Sequence, residues 1–313
     1  MRPEVLRCDR IWGQAPHNAF TDLIRFQDAW YCVFREGRGH VSPDGALRLL
    51  RSDDGHRWES VMRFTRSDAD LRDAKLSITP QGELMLLGAG AMHNPDPHRH
   101  QTFAWFSEDA VSWTPEIPIG EPDYWLWRVS FHRGLGLGIG YTTNSPQDRH
   151  IRLYGSQDGR RWSTLVPRLY ERGYPNETQI RFVGDRAYCL LRRDGASPEG
   201  NSGLLGIADP PYTDWNWSDL QVRIGGPAML VTPHGKMIAV VRLYDGRTRT
   251  SVCQIDPVHG SIRELLALPS GGDTSYAGLV WYDDRLWISY YSAHEARSNA
   301  FATAIYLAEV TIP

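Results

Sequence analysis

The chain has 313 residues with 12 Trp, 14 Tyr, 29 Gly and a formal charge of −3, enough to bury a large core and far from the basic field that general nucleic-acid or membrane-surface binding needs. No stretch sustains a 3.6-residue apolar period, so strands and tight turns are left to build the fold. No early basic segment leads into an apolar run of signal-peptide or membrane-helix length, so a cytoplasmic chain is expected, or a secreted one if a leader precedes it.

EVLRCDRIW at 4–12 is predicted as a lone strand. FTDLIRFQDAWYCVFR at 20–35 then reads as a hairpin: an apolar strand, a short turn and a second apolar strand. The same sixteen-residue frame returns as DAKLSITPQGELMLLG at 73–88, as WRVSFHRGLGLGIGY at 127–141 with one residue lost, and as ETQIRFVGDRAYCLLR at 177–192. PAMLVTPHGKMIAVVR at 227–242 and YAGLVWYDDRLWISYY at 276–291 complete the series. A third strand follows some of these hairpins, as in ALRLLRS and RHIRLYGS, and leads into SDDGHRW at 52–58, SEDAVSW at 107–113 and SQDGRRW at 156–162. ADPPYTDW at 208–215 is a degenerate fourth copy. In these motifs the Ser and Asp side chains suit hydrogen bonding inside a turn and the Trp suits packing on the sheet beside it, so a structural role is expected.

A hairpin recurring roughly every 50 residues, without an intervening helix, predicts an all-β, six-bladed β-propeller with four-stranded antiparallel blades, one domain over 1–313. The last repeat shows only three strands, ending in AFATAIYLAEVTI, so the N-terminal strand is expected to close the ring. Cys8, Cys32, Cys189 and Cys253 have no metal-like spacing and read as free thiols.

Positions that differ within the repeated frame are the candidates for a site. The frame ends on Arg35, Gly88, Tyr141, Arg192, Arg242 and Tyr291. Arg35, Arg192 and Arg242 at one height in the ring would converge on an anion such as a carboxylate, unless Glu36, Asp194 and Asp245 pair them locally; Arg193 competes with Arg192 for the inward position. The frame begins on Phe20, Asp73, Trp127, Glu177, Pro227 and Tyr276. Glu177 beside Tyr276 would help deprotonate a phenol and make it a nucleophile. Trp127, in DYWLWR, is a candidate wall for a sugar ring, and Tyr291 a candidate substrate contact. His93, His98, His100 and Asp96 in MHNPDPHRH read as a loop between strands of the second blade, and no metal or cofactor is expected.

The three Asp-containing motifs and the segments NETQIRFVGDRAYCLLRRDG, GGPAMLVTPHGKMIAVVR and SYAGLVWYDDRLWISYY resemble the sialidase (neuraminidase) superfamily of six-bladed Asp-box propellers over nearly the whole chain. The resemblance implies that Tyr276 is the nucleophile, Glu177 its activator, and Arg192 (or Arg193) and Arg242 members of a carboxylate-binding triad. It also implies an acid/base on an early-blade loop, for which Asp73 and Glu36 are the candidates. PHNAFTDL at 16–23 stands where the resemblance implies an Arg-Ile-Pro-like segment. His17 and Asn18 take that place as substrate contacts, with His40 on the following loop, and this departure points away from sialic acid while leaving an acidic sugar. The expected activity is therefore retaining, exo-acting hydrolysis of a terminal glycoside. Two alternatives stand beside it: a polysaccharide lyase on uronic-acid glycans, using His17, His40 or Tyr276 as base, and a non-catalytic carbohydrate-binding propeller.

Overall fold

In a computed structural model, residues 2–196, 198–296 and 302–312 are described. They form six four-stranded antiparallel sheets arranged as a six-bladed β-propeller. Blade one runs His17–Phe26, Ala29–Gly37, Ala46–Ser52 and Glu59–Phe64, and blade two Ala69–Ile78, Leu84–Met92, His100–Ser107 and Ile117–Ile119. Blades three, four and five open with Tyr124–His132, Pro175–Val183 and Ile224–Val231. Blade six is Thr274–Tyr282, Arg285–Ser292 and Ala304–Thr311, with Glu4–Trp12 as its outer strand. That strand pairs antiparallel with Ala304–Thr311, Glu4 opposite Thr311 and Cys8 opposite Ala308, so the ring closes as the sequence predicts.

The first strand of each blade lies at the axis, where it touches the first strands of both neighbouring blades. Apolar faces meet between sheets, as where Val33, Leu47 and Leu49 of blade one pack against Leu71, Leu84 and Leu86 of blade two. The cysteines are free thiols. No described helix is long and apolar enough to cross a membrane.

The Asp-containing motifs form the turns between third and fourth strands, away from the axis. In the first, Asp54 Oδ1 accepts the backbone N–H groups of His56 (2.7 Å) and Arg57 (2.8 Å), and the Trp58 indole donates to the Gly55 carbonyl at 3.0 Å. The second and third copies repeat this pattern around Asp109 and Asp158. The degenerate fourth keeps its indole bond, Trp215 to the Tyr212 carbonyl at 2.8 Å. In all four the residue accepting from the indole is left-handed: Gly55 (φ 78°), Ala110 (60°), Gly159 (75°) and Tyr212 (66°). What defines the motif physically is this left-handed corner stapled by tryptophan, and Ser and Asp strengthen it in three copies.

One irregularity recurs with the blades. Each inner strand breaks register with its neighbour at the same place, between Ala19 and Asp22, Arg72 and Lys75, Leu126 and Arg128, Pro175 and Thr178, Gly225 and Ala228, and Ser275 and Gly278. These are β-bulges, which bend a strand and re-aim a side chain. They contain Phe20, Asp73, Trp127, Glu177, Pro227 and Tyr276, the first residues of the sequence frame. Phe20 (φ 62°), Asp73 (53°) and Tyr276 (55°) are left-handed without being glycine, a strain typical of residues placed for a task.

Candidate active site

The bulges of blades four and six bring Glu177 and Tyr276 together. The Tyr276 hydroxyl donates to Glu177 Oε1 at 2.7 Å, and Glu177 Oε2 accepts from Arg192 Nη1 (2.8 Å) and the Gly226 backbone N–H (3.0 Å). Arg192 Nη1 also lies 2.9 Å from the phenol oxygen. Gly226 is left-handed (φ 54°), and a Cβ there would come within 2.8 Å of the Tyr276 ring, so the glycine both supplies the N–H and makes room for the tyrosine. Phe20 and Trp127 pack edge-on against the same ring at 5.0 and 5.6 Å. Burial, then the Glu177 charge, pushes the Tyr276 hydroxyl well above the usual phenol range. The resting pair is therefore a neutral phenol donating to a carboxylate, poised for proton transfer as the phenol oxygen attacks.

Asp73 occupies the equivalent bulge of blade two. Burial raises its carboxyl to about 6, against the pull of Lys75 and Arg72 and with further upward pressure from Glu177, and its Oδ1 has no hydrogen-bond partner among the described residues. A carboxyl with this environment holds a proton in mildly acidic solution, as a general acid must. Its usual value is 3.8, so the stability it contributes is full below that pH and is lost as pH rises through about 6. Asp73→Asn is accordingly expected to be more stable than wild type at pH 7.5, by on the order of 2 kcal/mol, with the gap closing near pH 4. Urea denaturation at the two pH values measures this; equal stability at pH 7.5 would contradict the burial argument.

Arg242 approaches Tyr276 from blade five, its guanidinium 5.3 Å from the ring centre. Its Nε donates to the Thr274 carbonyl at 2.7 Å, and its Nη2 donates to that carbonyl, to the Tyr291 hydroxyl (2.9 Å) and to Asp273 Oδ1 (3.3 Å). Tyr291 donates to the same Asp273 oxygen at 2.6 Å. His17 Nε2 and His40 Nδ1 lie 3.1 and 2.8 Å from the other, Oδ2. Of the residues singled out in the sequence, Asp73, Glu177, Tyr276, Arg192, Arg242, Tyr291, Trp127, His17 and His40 thus gather beside the bulges of the inner strands, Trp127, Tyr291 and His17 as buried members of the cluster.

Four others do not. Arg35 is wholly buried, its donors taken by Asp70 (2.9 Å), the Gly39 carbonyl (2.8 Å) and Ser42, so it holds the 38–45 loop in place of a substrate. Arg193 alternates to the opposite sheet face from Arg192 and bonds Ser202 and Asp219. Glu36 faces away from Arg35 and is bracketed by Arg48 and Arg63; burial would raise its carboxyl, but these bonds outweigh that and hold it below the usual range, the wrong direction for an acid. Asn18 is buried and ties blade one to Thr303, donating to its carbonyl at 2.7 Å. In the 92–100 segment, His93 reaches the Pro43 carbonyl and His100 the Thr143 hydroxyl.

Two residues escaped the sequence reading. Asp273 precedes the sixth frame by three positions. Arg72 precedes the second frame by one; it lies over Phe20 and Trp125 at 5.4 and 5.8 Å, and its buried Nε has no partner among the described residues. Its place one residue before Asp73, in the charged inner strand ADLRDAKLSI, is the signal that could have found it.

No protein-family profile and no curated protein matches the chain. Among solved structures it is similar to a protein of unknown function from Dyadobacter fermentans, with a TM-score of 0.85 at 15% identity over 99% of both chains. It is similar also to an α-L-arabinofuranosidase from Fusarium graminearum, solved with an iminosugar inhibitor, at a TM-score of 0.72 and 11% identity over 97% of this chain and 98% of that one. Trypanosoma rangeli sialidase gives 0.71 at 11% identity, with 94% of this chain covering 55% of the sialidase, about half its length. The chain thus has the six-bladed propeller fold that glycosidases use, and at these identities the likeness is one of fold.

Proposed function

We propose that this propeller is a retaining, exo-acting glycosidase whose nucleophile is Tyr276. The observation that carries the reading is the 2.7 Å hydrogen bond from the Tyr276 hydroxyl to Glu177. As the phenol oxygen bonds to the anomeric carbon, Glu177 takes the phenol proton, Arg192 screens the negative charge that develops, and Asp73 protonates the departing glycosidic oxygen. In the second step Asp73 takes a proton from water, which displaces tyrosine from the sugar, and Glu177 returns the proton to the phenolate. With Asp73 as the acid, kcat falls as pH rises through about 6.

Arg72, Arg192 and Arg242 favour an acidic terminal sugar. Asp273 favours a neutral one, because it already satisfies Arg242 from inside the protein and offers an acceptor for sugar hydroxyls. A neutral phenol avoids the repulsion that a carboxylate nucleophile would meet at an anomeric carbon bearing a carboxylate, so with a neutral sugar that advantage is lost and Asp73 with Glu177 becomes the acid and base pair. The test is incubation with terminal sialosides, uronosides, arabinofuranosides and other neutral glycosides, following product mass, ultraviolet absorbance and the first-formed anomer by NMR. Release of one sugar class with retention supports the reading. An unsaturated, absorbing product would replace it with a lyase, and folded protein inert on every class would replace it with a binding propeller.

A further inference from the structure

We propose that His17, His40 and Asp273 form a binding site for a divalent transition metal of the zinc class at the mouth of the channel. The site itself does not depend on the glycosidase reading, and its role toward a glycan rests on that reading. Three separate segments supply the donors: the start of the inner strand of blade one, the loop at 38–45, and the residue preceding the inner strand of blade six. Nε2 of His17 and Nδ1 of His40 lie 3.1 and 2.8 Å from Asp273 Oδ2, and all three donor atoms fall within 4.8 Å of one another. With metal–ligand bonds of about 2.0–2.1 Å, the edges of a tetrahedral site are about 3.3 Å long. The two separations from Asp273 Oδ2 are therefore already near those that an ion imposes, and the third falls within 4.8 Å.

The chemistry of the set agrees. Two imidazoles and one carboxylate are ligands for zinc and its first-row neighbours, and three protein ligands leave a further position open, whereas calcium or magnesium would require mostly oxygen. The surroundings also fit. Asp273 Oδ1 is fixed by Tyr291 and Arg242, which leaves Oδ2 facing the histidines, as the outer partners of metal-bound carboxylates do. Arg35 carries no substrate, yet it anchors Gly39 and Ser42 on either side of His40 and so sets that ligand's position. His17 is 1% exposed and turns Nε2 toward Asp273 Oδ2, the direction from which an ion would be bound. Of the nearby cations, Arg242 bonds the far oxygen of Asp273 and Arg35 is neutralised by Asp70, so neither occupies the space between the three donors.

Phe20 stands between His40 and Tyr276, its ring centre 5.2 Å from the one and 5.0 Å from the other. A metal here is separated from the phenol by that ring and would hold hydroxyl or carboxylate oxygens of the glycan beside the reacting sugar. Its contribution is to orientation.

The test uses tag-free, chelator-stripped protein titrated with Co²⁺ without substrate, reading visible d–d absorption and calorimetric stoichiometry, followed by displacement with Zn²⁺. One cobalt per chain with the intense spectrum of a tetrahedral ion, displaced by zinc, is expected. His40→Ala, an exposed position, should weaken binding at least about 100-fold and His17→Gln should do the same, while His93→Ala leaves it unchanged. Absence of stoichiometric binding in wild type, or equal binding in a folded His40→Ala protein, would overturn the proposal.

Discussion

Replacing Tyr276 by phenylalanine is expected to lower kcat by at least about 10³-fold while leaving the fold intact. The hydroxyl is the only atom removed, and among the described residues it touches the polar groups of Glu177 and Arg192 alone. The ring keeps its packing on Phe20, Trp127 and Tyr291. Glu177 retains its bonds from Arg192 and Gly226, so its charge stays compensated. A stability loss of up to about 3 kcal/mol is expected from losing the hydroxyl's two buried contacts with charged groups. Tyr276→Phe, set beside Glu177→Gln, separates the two glycosidase readings. If Tyr276 attacks, Glu177→Gln and Tyr276→Phe fall together because each disables the same proton transfer. If Asp73 and Glu177 act as a carboxylate pair, Glu177→Gln and Asp73→Asn are severe and Tyr276→Phe retains a large part of the activity. Steady-state kinetics on the best substrate of the panel reads the outcome.

The largest loss of stability is expected from a single methyl group at Gly278. A Cβ there would stand 2.0 Å from the backbone N of Leu23, 2.5 Å from the carbonyl carbon of Asp22 and 2.7 Å from its Cα. These are backbone atoms of the adjoining inner strand, so no rotamer change relieves the clash. The two strands are joined at this level by Thr21, which donates to the Tyr276 carbonyl at 2.8 Å. Asp22 in turn accepts from Leu76 of blade two and Arg128 of blade three. Forcing blades one and six apart would disturb four blades and move the nucleophile. Gly278→Ala should lower stability by more than about 3 kcal/mol, whereas Gly39→Ala, whose nearest neighbour would be 3.8 Å away, should stay within about 0.5 kcal/mol. Urea midpoints of the two variants against wild type decide it. A Gly278→Ala midpoint near wild type would mean that the blades can slide at the axis.

The frame that exposed the blades in the sequence also exposed Glu177, Tyr276 and Asp73, and the reason is geometric. A bulge recurring at one place makes equal sequence positions equal in space, so aligning the repeats is a crude superposition. The same logic misled at Arg35. Its place at the end of a second strand matches Arg192 and Arg242, but its direction is decided by Asp70 from the next blade, a partner no local pattern announces. Glu36 was misread for a related reason, since Arg48 and Arg63 come from the third and fourth strands of its own blade. Asp273 and His40 lie on connections outside the aligned segments, and Arg72 on the inner strand of blade two one residue before its frame. Asp273 and His40 meet only because blade six closes against blade one, which is a property of the whole chain.

The six bulges have a consequence for how such a molecule changes its chemistry. Shape is carried by the hairpins and by the stapled corners at the rim, whereas the reagents sit at one address per blade: phenylalanine, aspartate, tryptophan, glutamate, proline and tyrosine in ring order. A single codon at one address exchanges what that blade presents at the axis while the hairpins and the stapled corners keep their places. Duplication or exchange of whole blades would deal a new combination to the same central table. A lineage built this way can wander far in reaction while its outline stands still.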